Sequence, residues 1–312
     1  MDLILLFPGQ GSQKPGMGKD LADAFPAARA VFDEADRSLG IPLSKLCFEG
    51  PDDQLTSTQN AQPALLAHGA AAWALIRERA APHVRAAAGH SLGEFTAYHA
   101  AASLSLADAL HIVRTRGELM FKSGVERPGA MAAILGLGEH DVERVCSTVC
   151  AEGGVVVPAN YNTPEQLVIS GEIDAVERAM ALAKDAGAKR AIRLKVSGAF
   201  HSPLMEVAAA GLERALDGAA MRAPSFPVSS NVSADPVCDA AAAKALLVQQ
   251  LTSPVRWTAL VQRLAADHPG AVFLELGPGT VLSNLVKRIV PGAETLPCGT
   301  VADVNALLER LA

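Results

Sequence analysis

The chain has 312 residues, 50% of them hydrophobic and 4% aromatic. That is enough for a large core in one large or two modest domains. A formal charge of −6 at pH 7 and sparse aromatics argue against a nucleic-acid partner, and no apolar run is long enough to span a bilayer. The start, Met1-Asp2-Leu3-Ile4-Leu5-Leu6-Phe7, lacks the basic region of a signal peptide, so a cytoplasmic protein is expected.

Leu3–Phe7 is an unbroken apolar run of the buried parallel-strand type. The loop Pro8-Gly9-Gln10-Gly11-Ser12-Gln13 follows. Its small residues either make a turn or let backbone N–H groups near Gln10 approach a ligand; no phosphate-loop Gly-Lys-Ser/Thr follows. A helix is predicted from Asp20 to about Leu39, ended by Gly40-Ile41-Pro42. A loop at Pro51-Asp52-Asp53 comes next, then a long alanine-rich helix over Gln59–Ala81.

Val84–Gly89 is a short strand, and Gly89-His90-Ser91-Leu92-Gly93-Glu94 leads from it into a helix ending near Ala102. Strand, Gly-x-Ser-x-Gly turn and helix form the elbow of a nucleophilic serine, with the N–H of Leu92 free to meet an oxyanion. The same residues satisfy a plainer reading, because Ser91-x-x-Glu94 also matches a capping box. In the next helix, Ser105–Ser123, helical spacing puts Arg116 on the apolar face with Ala109, Ile112, Val113, Gly117 and Met120. Arg114 points elsewhere and can pair with Glu118. A guanidinium on a buried face needs an anion, either a carboxylate of this chain or one on a ligand, and Gly117 leaves room for the latter.

After Arg127-Pro128-Gly129 the pattern changes. Met131–Leu137, Val155–Ala159, Gln166–Ser170 and Lys189–Val196 read as strands, and Glu139–Ala151 and Ile173–Ala186 as helices. The order β-α-β-β-α-β is that of a ferredoxin-like module. His201 follows at the return crossing, placed to serve as the base that a serine nucleophile requires. Beyond it come a helix over Leu204–Leu216, a strand over Pro227–Val232, a helix over Ala240–Leu251, an amphipathic stretch over Val255–Asp267, and a strand over Val272–Leu276. Helix Val281–Arg288, a short strand near Thr295–Pro297 and helix Val304–Leu311 end the chain. Cys47, Cys146, Cys150, Cys238 and Cys298 are scattered and read as reduced packing thiols; no metal site is expected.

Taken in order, these motifs resemble the malonyl-CoA:acyl carrier protein transacylases, which include stand-alone enzymes of fatty-acid synthesis and acyltransferase domains of polyketide synthases. The resemblance runs from Phe7-Pro8-Gly9-Gln10-Gly11-Ser12-Gln13 through Gln62-Pro63-Ala64, the Ser91 elbow, Arg116-Gly117 and Asn160-x-Asn162. It continues through Gly198-Ala199-Phe200-His201 and Gln250-Leu251 to Glu275-x-Gly277-Pro278-Gly279. It implies an α/β fold: an α/β-hydrolase-like large domain with a parallel central sheet, residues 1–127 and 197–312, and an inserted ferredoxin-like small domain, residues 128–196.

The resemblance also implies a Ser91–His201 dyad without a carboxylate, its imidazole oriented by a backbone carbonyl near Gln250. The N–H groups of Gln10 and Leu92 would form the oxyanion hole. Arg116 would bind the malonyl carboxylate, and Gln62, Asn160, Asn162, Phe200 and Gln250 would complete the substrate site, with Phe200 resembling the aromatic that accompanies malonyl selection. The implied partners are malonyl-CoA and an acyl carrier protein bearing phosphopantetheine, the implied route is a ping-pong transfer through a malonyl-serine ester, and no cofactor is required. The protein is expected to be a monomer. Lys189, Arg190, Arg193, Lys195, Lys287 and Arg288 are candidates for docking an acidic carrier protein, or are simply solvated. A free-standing polyketide acyltransferase is the alternative. A serine thioesterase is the more distant rival, since it usually supplies an acid to its histidine and has no reason to bury Arg116.

Overall fold

The computed structural model describes all residues from Met1 to Ala312. Leu3–Phe7 (β1) and Val84–Gly89 (β2) begin a six-stranded sheet. The chain then builds a second sheet from Gly129–Leu135 (β3), Val156–Thr163 (β4), Gln166–Glu172 (β5) and Arg190–Arg193 (β6). It returns to the first sheet with Val228–Ser229 (β7), Pro236–Val237 (β8), Val272–Glu275 (β9) and Thr295–Pro297 (β10).

The six strands lie in the order β10-β9-β1-β2-β7-β8, all parallel except the β7–β8 pair. Leu3, Leu5 and Phe7 enter the core on one face of this sheet and Ile4 and Leu6 the core on the other. Burial on both faces is why β1 is apolar throughout rather than alternating. The carboxyl ends of the parallel strands share one edge, so the loops after β1, β2, β7 and β9 emerge together there, the usual place for a site in such sheets.

The second sheet is antiparallel, ordered β4-β5-β3-β6, and packs with helices Glu139–Ala151 and Ile173–Asp185 around a core of its own. The mixed α/β architecture is the expected one. The sheets are tied where β4 passes the segment before helix Trp257–Asp267: the N–H of Tyr161 donates to the Val255 carbonyl (2.9 Å) and the N–H of Val255 to that of Ala159 (2.8 Å).

Several local expectations needed correction. The helix expected over Asp20–Leu39 is two, Lys19–Ala24 and Pro26–Leu39, because Pro26 restarts it at its first position and holds Phe25 extended. Helix Asp52–Thr56 occupies the expected loop at Pro51-Asp52-Asp53, and helix Leu43–Glu49 the unassigned stretch before it; both are too short to display a helical period. β6 ends at Arg193; the Leu194 N–H makes one last bond to β3, at the Met131 carbonyl (2.9 Å), and Val196 lies beyond the ladder. Cys150 and Cys238 are exposed, unlike the other three cysteines, so they are not the buried packing thiols expected; Cys150 Sγ donates to the Val156 carbonyl (3.2 Å). Inside helix Thr58–Ala80, Pro63 has no N–H to give the Gln59 carbonyl, and Arg114 Nη1 reaches it instead at 3.2 Å. No helix is long and apolar enough to cross a membrane.

Candidate active site

The turn after β2 is packed backbone on backbone. A Cβ on Gly89 would lie 1.8 Å from the Gly93 carbonyl carbon, and one on Gly93 would lie 2.0 Å from the Phe7 carbonyl oxygen. Only glycine allows the turn to sit this tightly on the end of β1. Ser91 takes φ 52°, a left-handed conformation that costs a non-glycine residue roughly 1–2 kcal/mol. Asn231, just beyond β7, clamps it there: its Oδ1 accepts the Ser91 N–H (2.7 Å) and its Nδ2 donates to the Gly89 carbonyl (2.7 Å). The capping-box reading does not hold, since helix Gly93–Ala100 has no side-chain cap and Glu94 turns inward to full burial.

The Ser91 hydroxyl meets His201 Nε2 at 2.8 Å. His201 Nδ1 faces two acceptors, the carbonyls of Gln250 (2.9 Å) and Ser253 (3.2 Å). Two carbonyls at Nδ1 place the ring proton there, so Nε2 is left as the acceptor for the serine. No carboxylate is a partner of this imidazole. Burial, and next the positive charge of Arg116, push its pKa down to about 3, so it is a neutral base at ordinary pH. The backbone N–H groups of Gln10 and Leu92 donate to no group of the protein. The Gln10 side chain reaches Thr58 Oγ1 (3.3 Å), which in turn contacts Ser197 Oγ (3.1 Å).

Arg116 is buried, at 1% exposure. Its Nη1 donates to Gln62 Oε1 (2.8 Å) and its Nη2 to Gln250 Oε1 (2.9 Å) and Ser91 Oγ (3.1 Å), while Nε has no partner. The Phe95 ring lies 5.5 Å from the guanidinium. All of its hydrogen-bond partners are neutral; the Glu94 carboxylate, on the far side of Gln250, acts on it only through space. Burial lowers its pKa to about 10, and it remains charged. Gly117 does not make room for a ligand: a Cβ there would lie 2.7 Å from Gln59 Cα, so it serves close helix packing.

Gln10, Gln62, His90, Ser91, Leu92, Arg116, Met120, Met131, Asn160, Leu194, Val196, Phe200 and His201 line one cleft of about 120 Å³ between the two sheets. Asn162 and Gln250 are not part of this lining. Asn162 instead binds His90 Nε2 (2.8 Å), and Gln250 stands behind Arg116. The sequence reading missed Asn231, Glu94, and the apolar wall of Met120, Met131, Leu194 and Val196. An asparagine at a strand end and a glutamate inside the elbow motif were the available signals; the wall had none. Lys189 pairs with Glu165 and Arg193 with Glu177, while Arg190, Lys195 and Lys287 make no ion pair. No group of His, Cys, Asp and Glu side chains is arranged to hold a metal ion.

Comparison with known proteins identifies the family. Residues 4–303 match the family described as acyl transferase domain. The chain is 46% identical to the malonyl CoA-acyl carrier protein transacylase of Bacillus subtilis over 99% of its own length and 97% of the relative's. Among solved structures, the acyl-carrier-protein-S-malonyltransferase of Bartonella henselae superposes with a TM-score of 0.95 at 43% identity, covering 100% of this chain and 99% of that one. A malonyl-transacylase solved in complex with a type II PKS acyl-carrier protein gives 0.95 at 42% identity, covering 99% and 100%. The chain belongs to the malonyl CoA-acyl carrier protein transacylase family.

Proposed function

We propose that this protein transfers a malonyl group from malonyl-CoA to the phosphopantetheine thiol of an acyl carrier protein, through an ester on Ser91. The observation that carries the reading is Arg116: a buried guanidinium with only neutral partners, donating to the hydroxyl of the nucleophile. Such a charge is costly unless a ligand anion completes it, and a carboxylate suits its planar fork.

His201 Nε2 takes the Ser91 proton as Oγ attacks the thioester carbonyl. The oxyanion forms against the N–H groups of Gln10 and Leu92, each such donor being worth about 3 kcal/mol. Collapse breaks the C–S bond, and the imidazolium returns its proton to the departing CoA sulfur. The carrier-protein thiol then runs the same steps in reverse, so each half-reaction balances without a redox or metal cofactor. Arg116 also times the base. Its charge is one reason the imidazolium is disfavoured in the free enzyme, and a malonyl carboxylate that neutralises it removes that obstacle.

The volume of the cleft suits a short acyl group, and Phe200 closes it beside the base. Lys195, Arg190 and Lys287, free of ion pairs, are the first candidates to meet an acidic carrier protein. We assign the enzyme to fatty-acid synthesis, as a cytoplasmic monomer; the likeness to a type II PKS transacylase favours polyketide synthesis as the second reading. The test is mass spectrometry of the intact protein after mixing with malonyl-CoA, then with holo carrier protein. A malonyl adduct on Ser91 that moves to the carrier is expected. Malonate released to water, with none on the carrier, would make it a hydrolase instead.

A further inference from the structure

Glu94 is fully buried one helical turn after the nucleophile, yet its carboxylate makes no hydrogen bond to Ser91 Oγ and does not line the cleft. Its Oε2 accepts two hydrogen bonds, from Gln250 Nε2 (2.7 Å) and from the backbone N–H of Asn231 (3.1 Å); its Oε1 has no partner. The Gln250 amide is fully used. Nε2 donates to Glu94 and to the Ser91 carbonyl (3.1 Å), and Oε1 accepts from Arg116 Nη2 (2.9 Å). If this amide were flipped, its oxygen would face a carboxylate and a carbonyl while its NH₂ faced a guanidinium. Acceptor would meet acceptor and donor would meet donor. The carboxylate of Glu94 therefore dictates which end of Gln250 faces Arg116.

We infer that Glu94 is a positioning residue for acyl selection: by fixing the Gln250 amide, it holds the Arg116 guanidinium in register with Ser91 and the acyl carboxylate. A residue needed only to fill this space would be apolar, because a buried carboxylate with one bare oxygen is costly. The same oxygen also holds the Asn231 backbone, whose side chain clamps the strained Ser91. Acyl-carboxylate recognition and the nucleophile's turn are thus set from one atom.

This inference rests on the malonyl-transfer reading, and the experiment separates the two. Rates of Ser91 acylation by malonyl-CoA and by acetyl-CoA are measured for the wild type, Arg116→Ala, Glu94→Met and Glu94→Gln. Glu94→Met keeps the volume and removes the acceptor. It is expected to lower kcat/KM for malonyl-CoA about tenfold or more relative to acetyl-CoA. Glu94→Gln, whose amide oxygen can accept both bonds, is expected to restore most of that preference. Gln250→Met, with Glu94 intact, must show the same selective loss, and it decides the matter if Glu94→Met does not fold. Equal losses for both acyl donors in Glu94→Met, or an unchanged preference in Gln250→Met, would overturn the inference. A wild type that forms no malonyl ester would instead remove the functional reading itself.

Discussion

The two walls of the cleft are built on opposite physical principles. The wall from the six-stranded sheet carries the reacting and charged groups, beside Leu92, Met120 and Phe200. Ser91, Arg116, Gln62 and His201 face the cleft, and Gln250, Glu94 and Asn231 stand behind them in one continuous hydrogen-bonded net. The wall from the four-stranded sheet and the segment that leaves it is mostly apolar, with Met131, Leu194 and Val196, and Asn160 as its polar member. A connected polar net fixes positions to fractions of an ångström, here with only Arg116 Nε and Glu94 Oε1 left bare, whereas an apolar wall excludes water and tolerates exchange of shape. Chemistry and acyl choice should therefore break on the first wall, and protection of the ester from water on the second.

The largest effect expected is on the nucleophile. Ser91→Ala should lower transfer by about 10⁴-fold or more while leaving the fold intact, measured as malonyl carrier protein formed per minute. Because Ser91 sits at φ 52°, Ser91→Gly should in addition melt higher than Ser91→Ala, by about 1 kcal/mol of stability. Next in size, Arg116→Ala should cost malonyl transfer about 3 kcal/mol or more, the scale for removing one member of a buried charge pair, and should leave acetyl transfer much less affected. It should also raise hydrolysis of the ester. Malonyl transfer that survives this change would erase the distinction between the walls.

Acidity probes the same net from another side. Burial pushes the carboxyl of Glu94 up to about 7, above its unfolded value of 4.5, against the pull of Gln250, Asn231 and Arg116. The folded state therefore binds more protons than the unfolded one between those values, and this group's contribution to stability is lost as pH rises through about 7. Glu94→Gln has no such proton to lose. Its melting temperature relative to the wild type should climb as pH rises from 4.5 to 7 and then level off, at a gain of roughly 3 kcal/mol at most. His201 works in the other direction: depressed to about 3, it destabilises the fold as pH falls below 6.5, but it stays an available base. Acylation should therefore show no acid limb near 6.5.

How much of this was legible in the sequence follows the same division. β1, β2 and the elbow announced themselves, because a doubly buried strand and a turn that only glycine can make leave few residue choices. Arg116 was visible as a charge out of phase with its helix, but only coordinates could show that no carboxylate meets it. Asn231 and Glu94 were hidden because their roles depend on side chains from residues more than a hundred positions apart. The wall of Met131, Leu194 and Val196 carried no signal, since apolar residues at a strand and its exit look the same whether they line a cleft or a core. Helices Leu43–Glu49 and Asp52–Thr56 escaped for want of length.

The smallest effect expected is on that second wall. Leu194 is half-buried just past the end of β6 and faces the cleft opposite Arg116's net. Leu194→Ala removes part of an apolar side chain without leaving a polar group unpaired, so its cost should be about 1 kcal/mol. None of that cost falls on the atoms that hold the acyl carboxylate. The ratio of malonyl to acetyl acylation should therefore stay within about threefold of the wild type. Water, however, gains access to the ester from the side that Leu194 screened, so malonate release in the absence of carrier protein should rise. The two ratios, acyl preference and hydrolysis against transfer, are then moved separately by Arg116→Ala and Leu194→Ala. If Leu194→Ala shifted acyl preference as far as a change in the polar net does, the apolar wall would be part of the recognition machinery and not its screen.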